Sequence, residues 1–331
     1  MPDPAKDKDP AAQPLTAGFD LGGTKMRVAL FTPDFTVAAR AEAKTRHIAI
    51  PKAGAEKIAA LIAEALAAAR ADRPRAQLAG LGLAIPGPVN PAKGIIYELP
   101  NIGWRNTPIV KLLQAALRVP VAIMNDVDAG LTGEYHFGAA KGAHTALGIF
   151  PGTGIGGAAI TVGRLLTGSD ITCMEIGHLP VLPDGPLCGC GQNGCLEAVA
   201  SRLAIAQAAA AAVQRGQAPN LKDLAGTDIA EIRSRTLAKA IKAGDTVIEQ
   251  IVRQAARHIG HAAAAAVNLL AADSVILGGG LVEAMPDIFE AEVTAAAKSR
   301  CMTAYRDRFR VHLAKLGDDA AIYGAARCAA G

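Results

Sequence analysis

Between Glu175 and Glu197 the chain reads EIGHLPVLPDGPLCGCGQNGCLE, and this stretch leaves its backbone few options. Three thiols and an imidazole, from Cys188, Cys190, Cys195 and His178, fall close together in a glycine-rich span. Sulfur and imidazole donors in that number suit a closed tetrahedral zinc site, because zinc takes mixed ligands without imposing a geometry of its own. Gly185, Gly189, Gly191 and Gly194 let the chain wrap tightly. A single C-x-C would be weak evidence, since two cysteines are often plain buried side chains. Three cysteines and a histidine at this density outweigh that reading. Four protein ligands fill the shell, so the ion is read as structural rather than hydrolytic. Glu175 and Glu197 bracket the stretch, and carboxylates held there can accept bonds from a polyol.

With 331 residues the chain is long enough for two domains with substantial cores. A net charge of +4 is too mild to argue for nucleic acid. Six cysteines and no signal-peptide pattern point to a reducing compartment, the cytoplasm, where clustered thiols bind metal rather than pair. Cys173, Cys301 and Cys328 lie outside the cluster and read as ordinary buried thiols. Residues 1–14, MPDPAKDKDPAAQP, are charged and proline-rich and read as a disordered tail. No run has the apolar length a membrane span needs; residues 258–272 are short and rich in alanine and fit a buried helix.

From Leu15 a strand runs into Asp20, then a glycine turn, then a second strand from Met26 to Phe31. Gly22, Gly23 and Thr24 can turn backbone N–H groups toward phosphate, with Lys25 adding charge, although a plain hairpin turn explains the same residues equally well. Further strands are expected over 36–44 and 77–85, with a helix over 53–70 between them. A loop presents Asn101. The strand 119–124 opens into Asn125-Asp126, ahead of a helix over 127–137. Either residue is a good helix cap, yet a carboxylate at the C-terminal end of a strand is also where α/β folds place chemistry.

The strand 144–150 leads into PGTGIGG, which formally matches G-x-G-x-x-G. Residues 158–162 read as another strand rather than a helix, so the dinucleotide fingerprint fails its context test. The turn instead repeats the Asp20–Lys25 pattern of strand, glycine turn with threonine, strand. Two such hairpins suggest a duplicated βββαβα architecture with nucleotide between its halves. Helices follow over 203–214, 228–243 and 247–270. A strand over 273–277 then ends in Gly278-Gly279-Gly280, which permits close approach by a nucleoside. A helix over 286–299, a strand over 310–314 and a helix over 318–327 close the chain.

Laid end to end, the chain resembles the ROK family of sugar kinases and sugar-responsive repressors. The resemblance is carried by Asp20-Leu-Gly-Gly-Thr-Lys25, Pro86-Gly-Pro-Val89, Leu99-Pro-Asn101, Asn125-Asp126, Gly152-Thr-Gly-Ile-Gly-Gly157, Glu175-Ile-Gly-His178, the cysteine block to Glu197, and Gly278-Gly279-Gly280. It implies an α/β fold of the actin-like ATPase (ribonuclease H-like) kind, in two lobes with a central cleft. The expected lobes are residues 15–118, with 318–331 packing back on them, and residues 119–317, which hold the zinc segment 175–197.

The resemblance also implies an ATP-dependent hexose kinase and a homodimer. Glucose, giving glucose 6-phosphate, is the first acceptor to consider; fructose, mannose and N-acetylhexosamines stand behind it. Asp126 becomes the general base. Asn101, Asn125, Glu175, His178 and Glu197 join Asp126 in binding the sugar. Asp20 sits near Mg²⁺, and Gly22, Gly23, Thr24, Lys25, Gly152, Thr153, Gly154 and the three glycines 278–280 hold the nucleotide. His178 serves twice, one ring nitrogen on zinc and the other on the sugar. On this reading a bulky residue at Gly154 blocks ATP alone.

A repressor of this family would need a DNA-binding domain of at least ~50 residues ahead of Asp20, where only the short tail stands. A polyphosphate-dependent kinase is disfavoured because the cysteine block goes with the family's ATP users, and a non-catalytic sugar binder because Asp126 is intact. Two positions depart from the family pattern. Thr172-Cys173-Met174 replaces small Gly and Ala before Glu175, and Asp128 stands where Asn is common.

Overall fold

The computed structural model describes residues 13–46 and 48–331, so the expected tail lies outside them for residues 1–12. The chain divides into two compact units, one ending at Asp126 and taking back Ala321–Gly331, the other spanning Val127–Ala320.

In the first unit, β1 (Gln13–Leu21), β2 (Lys25–Phe31) and β3 (Val37–Lys44) form an antiparallel meander. Helix α1 (Pro51–Asp72) then crosses to β4 (Ala76–Ile85), which lies parallel to β1. A small antiparallel sheet of β5 (Val89–Asn90), β6 (Ile95–Leu99) and β7 (Trp104–Thr107) follows, then α2 (Ile109–Leu117). The unit's last strand, β8 (Val121–Asn125), adds parallel to β4 and gives the order β3-β2-β1-β4-β8.

Alternation along β1 and β2 sends Phe19, Leu21, Met26 and Val28 into one core with Ile58 and Ile62 of α1. Burying each such aliphatic or aromatic side chain stabilises the fold by about 1.5–3 kcal/mol. Trp104 is fully buried and its indole N–H donates to the carbonyl of Ile48 at 2.6 Å, so its one polar group is satisfied. The opposite face of the sheet takes the C-terminal helix, with Ala29 and Phe31 against Ile322 and Ala326. Only glycine allows that approach: a Cβ on Gly82 would stand 1.8 Å from the carbonyl oxygen of Ala325.

In the second unit, α3 (Asp126–Phe137) begins at the boundary, and β9 (Thr145–Pro151), β10 (Ile155–Thr161) and β11 (Arg164–Leu165) form another antiparallel meander. The cysteine segment and the helices α4 (Leu196–Ala200), α5 (Arg202–Gln214), α6 (Pro219–Ala225), α7 (Ser234–Lys242) and α8 (Thr246–Leu270) come next. Strand β12 (Ser274–Leu277) runs parallel to β9. Helices α9 (Gly280–Ala284) and α10 (Pro286–Arg300) lead to β13 (Arg310–Leu313), parallel to β12, before the closing α11 (Ala320–Ala329). The order β11-β10-β9-β12-β13 repeats the first sheet strand for strand, as the two glycine hairpins predict. The long α8 supplies Ile248, Val252, Ala256, Ile259 and Val267 to this unit's core.

Several boundaries differ from the sequence reading. Strand β1 starts at Gln13, so Gln13 and Pro14 leave the expected tail. The first unit ends at Asp126 rather than 118, because β8 hydrogen-bonds to β4 and completes the first sheet. The helix expected over 228–243 begins only at Ser234, since the Asp228 carboxylate accepts from Ala230 N–H at 2.8 Å and fixes a turn there. Helices α2 and α6 and the small sheet fill stretches without a legible period. Among the described residues, no helix is long and apolar enough to cross a membrane.

Candidate active site

The first unit places Asp20 at the end of β1, directly opposite Arg27 in the β1–β2 register. The Arg27 guanidinium bonds the Asp20 carboxylate at 2.8 Å, both side chains being largely buried. Sequence reasoning missed Arg27, whose signal is only its cross-strand position. Lys25 pairs with Glu42 at 2.5 Å and is half exposed. The turn itself is pinned by Thr45, whose hydroxyl donates to the Gly22 carbonyl at 2.7 Å and whose N–H reaches that of Thr24. Asn101 lies against this turn: a Cβ on Gly23 would come 3.2 Å from its amide nitrogen.

At the end of β8, Asn125 occupies the flanking position and donates its side-chain amide to the Gly87 carbonyl at 3.0 Å. Asp126 is the first residue of α3, one position earlier than the sequence pattern indicates.

In the second unit, β9 and β12 pair as neighbours, so their C-terminal ends bring the Gly152–Gly154 turn beside Gly278 and Gly279. A Cβ on Gly279, whose φ is +87°, would meet the Pro151 carbonyl at 2.8 Å. Gly280 starts α9. The cysteine segment reaches the same place from the other side. Leu196 N–H donates to the Leu179 carbonyl, and Glu197 on α4 accepts from the Ile155 N–H at 2.9 Å.

One Glu197 oxygen is therefore committed to the backbone just after the Gly152–Gly154 turn, which alters the expectation for Gly154. A Cβ there would stand 2.2 Å from that oxygen, so Gly154→Val displaces Glu197 as well as the turn. We expect Gly154→Val to weaken sugar and nucleotide binding together, at a stability cost of about 1–3 kcal/mol for overpacking. Paired titrations with sugar and with ATP, plus a thermal melt, check this; loss of ATP affinity alone would contradict it.

His178, Cys188, Cys190 and Cys195 converge, with their ligand atoms all within 4.8 Å of one another. The Cys190 and Cys195 sulfurs are 3.6 Å apart, close to the roughly 3.8 Å edge of a tetrahedron with Zn–S bonds near 2.3 Å. The His178 Nδ1 faces the Cys188 sulfur at 3.7 Å, which leaves Nε2 for another partner. Burial pushes the Cys195 thiol up to about 12, while a Gln192 backbone N–H lowers that of Cys190. The donor set fits zinc.

The departures before Glu175 have structural consequences. Met174 adopts a left-handed backbone, φ +60°, where glycine would be unstrained. Among the described residues, the buried Thr172 hydroxyl has no hydrogen-bond partner. The Cys173 thiol donates to the Leu166 carbonyl at 3.2 Å, and burial followed by the Asp128 and Glu175 carboxylates raises its pKa, so it stands as a neutral thiol. Asp128 is itself buried on α3.

Comparison with known proteins shows the family. The ROK family model matches residues 16–331. A glucokinase of Halalkalibacterium halodurans is 31% identical over 93% of this chain and 92% of its own length. A crystal structure of a ROK family glucokinase from Streptomyces griseus, in complex with glucose and AMPPNP, matches with a TM-score of 0.78 at 30% identity, covering 95% of this chain and 99% of that one. A DNA-binding transcriptional dual regulator of Escherichia coli K12 is 26% identical over 74% of this chain and 59% of its own length. The fold is the two-lobed actin-like ATPase fold of those kinases. Motifs, duplicated sheets and full-length similarity agree, and the chain belongs to the ROK family.

Proposed function

We propose that the protein is an ATP-dependent hexose kinase, with glucose as the first acceptor and glucose 6-phosphate as product. The observation that carries this reading is the near full-length similarity to glucokinases, with Asp126 in place at the end of β8. Asp126 takes the proton of the sugar hydroxyl as that oxygen attacks the γ-phosphorus. The bond from phosphorus to the bridging oxygen breaks, and ADP leaves.

Phosphoryl transfer depends mostly on positioning and on neutralising charge. Asn101, Asn125, Glu175 and His178 orient the acceptor, and Glu197 does so with its uncommitted oxygen. The Gly22–Lys25 and Gly152–Gly154 turns hold phosphates through backbone N–H groups, and Gly278–Gly280 lie against the nucleoside. Mg²⁺ bound with ATP neutralises phosphate charge, and Asp20 would hold it through water. Zinc bound by His178, Cys188, Cys190 and Cys195 would fix the His178 ring so that Nε2 faces the sugar. The same reading has the chain pair with a second copy.

Purified protein assayed for ATP consumption against glucose, fructose, mannose and N-acetylhexosamines tests the acceptor. Glucose should give the highest kcat/KM. A preference for fructose or an N-acetylated sugar would trace to the Thr172–Met174 segment and Asp128, and would replace glucose in this assignment.

A further inference from the structure

We propose that Arg202 is a nucleotide-binding residue whose guanidinium takes the terminal phosphates of ATP. This rests on the kinase reading, and it concerns a residue that no motif marks. Arg202 is the first residue of α5, directly after Ser201, whose buried hydroxyl caps the helix by accepting from Ala204 N–H at 3.2 Å. Its position is set by the phosphate turn from two sides. The Arg202 N–H donates to the Gly152 carbonyl at 2.9 Å, and its Nη2 donates to the Thr153 hydroxyl at 3.3 Å. The guanidinium is therefore tied to the turn both through its own backbone and through its tip.

Charge completes the case. Several arginines spend their charge on carboxylates: Arg27 on Asp20, Arg253 on Glu249 and Glu292, Arg257 on Glu292. Arg202 has no carboxylate within ion-pair distance among the described residues. Glu197, one turn earlier in the chain, faces the Ile155 N–H instead. The turn also offers Thr153 N–H and Gly154 N–H, neither of which has an acceptor among the described residues. Two backbone amides without acceptors, in the same turn as the hydroxyl that the guanidinium bonds, leave donors there for phosphate oxygens. A planar fork of donors suits such oxygens better than a point charge does.

The test compares Arg202→Gln and Arg202→Lys with the wild type. ATP, ADP and adenosine are each titrated, and steady-state rates are measured at varied ATP and at varied sugar. Loss of a charge-assisted hydrogen bond predicts an ATP KM raised roughly tenfold or more in Arg202→Gln. ADP binding should weaken in parallel, adenosine binding and sugar affinity should stay within about twofold, and lysine should recover part of the loss. An ATP KM within twofold of wild type overturns the proposal. So does an equal loss of sugar affinity, which would show that Arg202 only props the turn against Glu197. Absence of sugar-dependent ATP consumption in the wild type would sink the kinase reading instead, and the direct nucleotide titrations would still decide whether Arg202 binds phosphate.

Discussion

Asp126→Asn is expected to leave a folded, sugar-binding protein whose kcat falls by roughly 10²- to 10⁴-fold, the usual share of general-base catalysis. The substitution keeps the size and most of the hydrogen bonding of Asp126 but removes its proton acceptor. Sugar and ATP affinities should change little, because the lost interaction strengthens only as the hydroxyl gives up its proton. A structural role predicts something different. Asp126 opens α3, where a carboxylate favours the helix dipole by about 0.3–1 kcal/mol, and Asn in the first turn would forfeit no more than that. A purely structural Asp126 thus gives near-normal turnover and a slightly lower melting temperature. Steady-state rates with a melt and a sugar titration separate the two, and turnover within a few-fold of wild type would remove Asp126 from the mechanism.

Removal of the metal is expected to be as damaging by another route. Purified protein should carry about one zinc per chain, and Cys190→Ser should lower zinc content and sugar affinity together. The structure adds a consequence for nucleotide. Cys195 is the residue before α4, Leu196 is bonded back to Leu179, and Glu197 holds the Ile155 N–H, so the cysteine cluster and the Gly152–Gly154 turn are joined through three consecutive residues. Structural zinc sites contribute on the order of 10 kcal/mol to the fold of the peptides they close. Loosening this one should therefore raise the KM for ATP as well as for sugar. Elemental analysis on wild type and Cys190→Ser, alongside both titrations, checks the chain of effects. Active wild-type protein without zinc would contradict the role given to the whole segment.

The parts of this site legible in the sequence are those where residue type alone restricts chemistry. Three thiols and an imidazole have few joint uses, and strand–glycine turn–strand is visible by composition, so the cluster and both turns were open to reading. The duplicated sheets followed from the repeat of that hairpin. What stayed hidden depends on register and packing. Arg27 meets Asp20 only because β1 and β2 pair in one particular alignment. Arg202 meets Thr153 only because α5 starts where its backbone can bond the turn. The second task of Glu197 is of the same kind, a contact across 42 residues of chain that no local pattern encodes. The unit boundary was misplaced because an apolar run such as Val121–Met124 announces a strand without saying which sheet it will join. The strands of the small sheet span only two to five residues, too short for a period to show.

One measurement tests the kinase assignment most directly: wild-type protein with Mg²⁺-ATP, with and without glucose, followed for ADP and for sugar phosphate together. A hexose kinase releases ADP only with the sugar present, matched mole for mole by hexose phosphate. Glucose bound without any phosphate transfer, or ADP released at the same rate in its absence, would contradict that assignment.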